Sequence, residues 1–259
     1  IRKLYGNVLV LTNGFSVLGH ERIWKGGHLP DKEIVLDLIK QNQPISSRVE
    51  SAGLINAQKY SFVRGSLYKK RLQVLRHLAK NWDGEVYLAG KNWNTTFHKS
   101  IIEQSYALIM AIAGGKGIDL RQYYSHRYAH RTNINILGPQ DTQYEFLSKI
   151  KFAIVVENQA NYISEKLLNA FIAGCVPIYL GGNLNEYGIP ENCVIQLPSD
   201  FSEVDKILNE LSSSEIEKIA RNGEKYITDS EILDRWSVRR GFQHLLNELL
   251  NLEKNESST

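Results

Sequence analysis

The stretch from residue 151 to residue 182, KFAIVVENQANYISEKLLNAFIAGCVPIYLGG, leaves this chain few architectures to adopt. FAIVV is an unbroken apolar run of strand length, as suits a strand buried on both faces, and VPIYL repeats the pattern. Between them residues 164–173 read as a helix that Gly174 closes. Strand, helix and strand in that order make a parallel crossover unit, and parallel strands belong to α/β sheets with helices on both faces. The loop at residues 157–163 then lies at the carboxyl end of a strand, where open parallel sheets bind ligands.

The remaining sequence extends this pattern. Residues 4–11 (LYGNVLVL) read as a buried strand, residues 12–30 as a Gly- and His-rich surface loop, and residues 31–41 as a helix. Residues 59–63 read as a strand. Residues 68–80 read as a basic amphipathic helix with Leu72, Leu75 and Leu78 inward and Lys69, Lys70, Arg71 and Arg76 outward, and residues 84–89 (GEVYLA) as a strand. Together these three form a second crossover unit. A further helix is expected over residues 97–115, ended by Gly114 and Gly115.

Composition excludes several classes of function. The chain's 31 Lys and Arg against 28 Asp and Glu give a net charge of +3, too balanced for a nucleic-acid binder. The longest uncharged apolar stretch, residues 106–115, is about half of the roughly 20 residues that cross a bilayer. Cys175 and Cys193 form no CxxC pair and read as small buried residues. His126 and His130 have helical zinc spacing, but Arg127 stands where a metalloprotease carries its Glu, so RQYYSHRYAHR (residues 121–131) reads as a solvated polar face. Asp83 and Glu85 read as part of a turn. Asn94 and Asn255 match glycosylation sequons, which arise by chance in an Asn-rich chain. The chain opens on Ile1 and Arg2 in place of Met, as expected of a fragment or a processed form.

The chemistry concentrates in the 157–166 loop. Glu165 in a helix's first turn favours the helix dipole, whereas Lys166 opposes it by about 0.3–1 kcal/mol unless an anion lies in front of it. Tyr162, Glu165 and Lys166 supply a ring, a carboxylate for sugar hydroxyls and a cation for phosphate, the three groups a nucleotide sugar needs. A Walker A sequence and a GxGxxG are both absent, which argues against ATP and NAD. Gly181 and Gly182 permit close approach of backbone to a ligand or form a plain turn.

These residues resemble the α-1,3-fucosyltransferase family, glycosyltransferase family ten. Its hallmark is an apolar strand, Phe-Glu-Asn, a short loop, Tyr-[Ile/Val]-Thr-Glu-Lys, a helix and Val-Pro-[Val/Ile]-x-x-Gly. Here Glu157-Asn158, Tyr162-Ile163-Ser164-Glu165-Lys166 and Val176-Pro177-Ile178 through Gly181 follow that order. Leu137-Gly138, Glu145 to Ser148 and Lys151-Phe152 are similar to the family's lead-in, and Ser61-Phe62-Val63 with Arg71, Val74 and Leu78 to its earlier strand and helix. The resemblance spans residues 59–190. Ser164 replaces the family's Thr and Gln159 its Ser, and residues 92–133 are longer than the link in compact bacterial members.

The resemblance implies an α/β protein of the GT-B glycosyltransferase type. A Rossmann-like donor domain with C-terminal helices is expected over residues 59–259, after a short or truncated acceptor-side region at residues 1–58. It implies GDP-fucose as donor, inverting transfer to an acceptor glycan, no cofactor and no obligatory metal. Arg71, Asn158, Tyr162, Glu165 and Lys166 are implied around the donor, with Arg64, Gly138 and Glu157 as weaker candidates. The family draws its catalytic base from the N-terminal domain, and Glu21 and Asp31 are the candidates here. The alternatives are a GT-B enzyme for another nucleotide sugar, a non-catalytic nucleotide-sugar-binding module and, last, an RNA binder using residues 121–131. The expected compartment is cytoplasmic with peripheral membrane association, or the Golgi lumen for a trimmed eukaryotic enzyme. Acceptor, linkage and oligomeric state are not written in the sequence.

Overall fold

A computed structural model describes residues 29–59, 61–93, 97–113, 133–161, 163–198, 201–240 and 243. Packing divides the chain into two units, residues 42–224 and residues 1–41 with 225–259. The smaller unit contains α1 (Lys32–Lys40). In the larger, the order is β1 (Ser51–Ile55), α2 (Tyr68–Asn81), β2 (Glu85–Ala89), α3 (Phe97–Ala113), β3 (Ile134–Ile136), α4 (Gln143–Leu147), β4 (Phe152–Val156), α5 (Glu165–Ile172), β5 (Val176–Leu180), β6 (Ile195–Gln196) and α6 (Val204–Glu210). α7 (Ser213–Thr228) crosses the division, and α8 (Ser230–Trp236) follows in the smaller unit.

The six strands form one sheet in the order β3-β2-β1-β4-β5-β6, and every neighbouring pair is parallel. Successive side chains of a strand point to opposite faces. Ala52, Leu54, Phe152, Ile154, Val156, Val176 and Ile178 therefore share one face, and they form a core with Leu72, Leu75 and Leu78 of α2 and Val204 and Leu208 of α6. α4 and α5 cover the opposite face. Gly53 of β1 lies beneath Phe146 of α4, so close that a Cβ there would stand 2.7 Å from Phe146 Cζ.

At the amino ends of the strands, Arg48 is buried, and among the described residues it has no carboxylate partner. Its guanidinium donates to the carbonyls of Ile150 (2.9 Å), Ala173 (2.8 Å) and Gln43 (3.2 Å), which closes off the chain behind α4 and α5. The Cys175 thiol donates to the Leu147 carbonyl at 3.0 Å, and burial pushes its pKa up to about 12. Cys193 is buried as well, so both cysteines pack as the sequence predicts.

The smaller unit is organised by its own contacts. Leu29 donates to the Trp236 carbonyl at 2.8 Å and accepts from the Val238 amide at 3.0 Å. Asp229 caps α8 by accepting from the amides of Glu231 and Ile232. Leu29, Val35 and Trp236 are fully buried, and the Trp236 indole donates to the Tyr226 hydroxyl.

Several expectations are corrected. The strand preceding α2 is Ser51–Ile55, and among the described residues of 59–63 no strand is found. β1, in the middle of the sheet, thus precedes residue 59. Arg71 is an inward-facing residue of α2, only 4% exposed, and not an outward one. Residues 4–11, Glu21, Asn94, Tyr162, residues 121–131 with His126 and His130, and Asn255 lie outside the described residues. Among the described residues no helix is long and apolar enough to cross a membrane. α3 turns Ile102, Tyr106, Ile109, Met110 and Ile112 outward, each more than half exposed.

Gly53→Ala is expected to destabilise the fold by about 1–3 kcal/mol, because the added methyl overpacks the contact with Phe146. Urea unfolding of the two proteins measures it, and equal midpoints would contradict the packing described.

Candidate functional site

From β1 the chain moves outward in the sheet to β2, and from β4 it moves outward the other way to β5. At such a reversal the loops leaving the two central strands diverge and open a crevice beyond their carboxyl ends. Here those are the connections from β1 to α2 and from β4 to α5. The Leu67 amide donates to the Asn158 carbonyl at 3.0 Å, and Ser66 pairs with Gln159 in an antiparallel bridge. The loops are thus tied together at the floor of the crevice.

Each loop feeds a helix whose first turn carries positive charge. α2 begins Tyr68-Lys69-Lys70-Arg71, without an acidic residue in that turn and without a side-chain cap. α5 begins at the N-cap Ser164, whose hydroxyl accepts from the Lys166 amide, and continues with Glu165 and Lys166. Cations are unfavourable at the positive end of a helix unless a negative group offsets them. Lys70 is placed elsewhere, its ammonium 4.9 Å from the centre of the Phe201 ring.

Arg71 and Lys166 meet at the end of β4. Arg71 Nε donates to the Val156 carbonyl at 2.8 Å, and Nη2 donates to Asn158 Oδ1 at 2.6 Å. The guanidinium carbon stands 4.4 Å from the centre of the Tyr68 ring. Burial pulls the Arg71 pKa down, opposed by Tyr68, Glu157 and Glu165. Lys166 Nζ donates to Ser164 Oγ at 2.8 Å and lies 3.6 Å from Glu157 Oε2 and 3.7 Å from Glu165 Oε1. Two cationic groups from separate helices therefore engage three consecutive residues, Val156, Glu157 and Asn158.

Glu157 extends the β4–β5 ladder by one residue, its amide donating to the Leu180 carbonyl at 2.8 Å. Its side chain is 0% exposed and accepts from the Ser164 amide (2.7 Å) and the Ser164 hydroxyl (2.7 Å). Burial raises the Glu157 pKa, against the opposing pull of Lys166 and Ser164. Gly181 closes the site from the β5 side: a Cβ there would stand 2.6 Å from Glu157 Cγ. The Tyr179 hydroxyl would stand closer still, so both side chains call for glycine at this position. The Tyr179 hydroxyl donates to the Gly182 carbonyl at 2.9 Å, beside the same carboxylate.

The remaining candidates are scattered. Arg64 is exposed in the turn before Gly65. Gly138 follows β3 and accepts from the Gly90 amide at 3.2 Å, two strands from the reversal. Asp31 is the exposed N-cap residue of α1 in the smaller unit, without a side-chain capping bond. Glu21 and Tyr162 lie outside the described residues. Among the described residues no group of three or more His, Cys, Asp or Glu is placed to hold a metal ion. A cavity of about 430 Å³ lies between the β1–α2 loop and α3, lined by Gln58, Lys59, Phe62, Val63, Tyr106 and Met110 among others, and it shares no residue with the crevice cluster.

Ser164, absent from the residues expected around the donor, is the N-cap of α5 and the partner of Glu157. The strand alternation carried a signal for Glu157: it has the same parity as Ala153 and Val155, the face that α5 covers.

Comparison with known proteins places this geometry. Residues 119–246 match the family model described as glycosyltransferase family 10 (fucosyltransferase) C-term. A search of curated proteins returns no match. Among solved structures, α,α-trehalose 6-phosphate synthase from Burkholderia multivorans is 13% identical with a TM-score of 0.52, over 97% of this chain and 55% of that one. A glycosyltransferase from Rickettsia africae is 13% identical with a TM-score of 0.50, over 88% of this chain and 56% of that one. A trehalose-6-phosphate synthase studied with bisubstrate glycomimetics is 12% identical with a TM-score of 0.51, over 92% and 54%. The chain spans about half the length of these structures, and at such identity the likeness is one of fold. The hallmark strand, loop and helix all fall inside the stretch that matches the C-terminal region of glycosyltransferase family 10 (fucosyltransferase), and the parallel sheet that carries them is that of the GT-B glycosyltransferase fold.

Proposed function

We propose that this chain binds GDP-fucose at the β1–β4 crevice and, in the whole protein, transfers fucose with inversion to a hydroxyl of an acceptor glycan. The observation that carries this reading is the meeting of Arg71 and Lys166, from two helix amino ends, at the residues that end β4. Two cations and two helix dipoles suit a group with two or more negative charges, and a nucleoside diphosphate is such a group. The family that residues 119–246 match supports fucose as the sugar.

In the reaction the acceptor oxygen attacks C1 of fucose as the bond from C1 to the phosphate oxygen breaks, and positive charge develops on the ring. Negative charge grows on the departing diphosphate, where Arg71 and Lys166 stabilise it more strongly than in the ground state. On this reading they do the work that a divalent ion does elsewhere, so the transfer needs no metal or other cofactor. Asn158 is held by Arg71 and orients it, while Glu165 and Tyr162 are assigned to the nucleotide or the sugar. The hydroxyl proton passes to a carboxylate, for which Asp31 and Glu21 remain the candidates.

Calorimetry with GDP-, UDP- and ADP-sugars tests the donor, and turnover with a glycan acceptor tests the reaction. GDP-fucose is expected to bind most tightly. Preference for a UDP- or ADP-sugar would contradict the donor assignment, and binding by the whole protein without transfer would make it a nucleotide-sugar-binding module. Lys166→Ala is expected to weaken donor binding roughly ten- to hundredfold, from the loss of charge-assisted contacts worth about 1.5–3 kcal/mol. Unchanged affinity in that variant would remove Lys166 from the site.

A further inference from the structure

We propose that Glu157 is a positioning residue: a buried carboxylate that fixes the Lys166 ammonium and the first turn of α5 without itself touching the donor. This deepens the donor-site reading above and rests on it for the consequence, though not for the geometry. The sequence places Glu157 among the weaker donor contacts, but its side chain is 0% exposed and its oxygens are occupied from within. Oε1 accepts from the Ser164 amide at 2.7 Å, Oε2 lies 2.7 Å from the Ser164 hydroxyl, and the same oxygen faces Lys166 Nζ at 3.6 Å. Ser164 Oγ in turn accepts from Lys166 Nζ at 2.8 Å. Carboxylate, hydroxyl and ammonium form a closed triangle under the amino end of α5.

The arrangement has a physical purpose. A free lysine side chain loses rotamer entropy when it grips a ligand, and one already held against its own helix has less to lose. The groups that face Glu157 come from every side: Lys166 and Glu165 from α5, Arg71 from α2, Tyr179 from β5 and Tyr187 from the loop beyond it. Gly181 leaves no room for a Cβ over Glu157 Cγ, so water is kept from the carboxylate on that side.

Stability and function then respond to Glu157 with opposite signs. Burial raises the folded-state pKa of the carboxyl above its unfolded value. A group shifted that way contributes stability that is full below the unfolded pKa and is lost as pH rises through the folded one. The ionised Glu157 is therefore a cost to the fold, of the kind retained for function. A purely structural residue would behave the other way, its removal lowering stability at the pH where the protein works.

The test compares the wild type with Glu157→Gln, which keeps the shape and an acceptor oxygen, and with Ser164→Ala and Ser164→Thr. Glu157→Gln is expected to bind GDP-fucose about tenfold more weakly near neutral pH. A rise in affinity as Glu157 ionises is expected of the wild type and should be lost in Glu157→Gln, which once the wild-type carboxyl is ionised should unfold no more easily than the wild type. Ser164→Ala should share the loss of affinity, and Ser164→Thr, which keeps the hydroxyl, should restore it; the serine pair decides the matter if Glu157→Gln fails to fold. Wild-type affinity with an unchanged pH profile in Glu157→Gln would overturn the proposal. If the wild type binds no nucleotide sugar, the donor reading fails, and nitrogen NMR of the Lys166 side chain decides the Glu157 proposal alone. Its signal must shift as Glu157 titrates and lose that shift in Glu157→Gln; an indifferent signal would overturn it.

Discussion

A parallel sheet whose strand order reverses has one place where two strand-to-helix loops part, and the larger unit of this protein is organised around that place. The Leu67 to Asn158 hydrogen bond holds the two loops at a fixed separation. Beside that tie, an arginine from one helix and a lysine from the other engage three consecutive residues, Val156, Glu157 and Asn158. Apart, each would be an isolated cation at an unfavourable helix end. The remainder of the unit serves to keep the two helices in place: the apolar face between α2 and the sheet on one side, and α4 and α5 with the buried Arg48 on the other.

The site is built differently from a glycine-rich phosphate loop. Such loops present bare backbone amides to the phosphates. Here the residue that follows β4 is a buried carboxylate, and on the proposed reading positive side chains would do what backbone amides do in such loops. The charge of Glu157 is balanced from within the protein, by Lys166 at 3.6 Å and by the Ser164 amide at 2.7 Å.

What the sequence disclosed depended on how far each element's pattern rose above its neighbours. β4, α5 and β5 were legible because FAIVV and VPIYL are unbroken apolar runs with a capped helix between them. β1 was not, since SAGLI contains a serine and a glycine and has little side-chain bulk; Gly53 is small because Phe146 occupies the space, a fact of tertiary packing. The run at residues 59–63 reads as more strand-like, yet its described residues form no strand. β3, only three residues long, escaped notice. Arg71 was misjudged because it is charged, although it shares the i, i+4, i+7 stripe with Leu75 and Leu78, a signal that it points inward. Its partners, a backbone carbonyl on β4 and the Asn158 amide, lie far away in sequence and no local pattern reveals them. The hallmark residues pointed to Glu157 and Lys166 as neighbours in the chain, but not to the burial of Glu157 or to the Ser164 hydroxyl that joins it to Lys166.

The central claim is that the crevice between β1 and β4 recognises a diphosphate. Calorimetric titration of the protein with GDP and, separately, with guanosine isolates the contribution of the phosphates. Two charge-assisted contacts of about 1.5–3 kcal/mol each predict that GDP binds at least about a hundredfold more tightly than guanosine. Equal affinity for the two would mean that Arg71 and Lys166 serve only the fold, and the account of this site would be wrong.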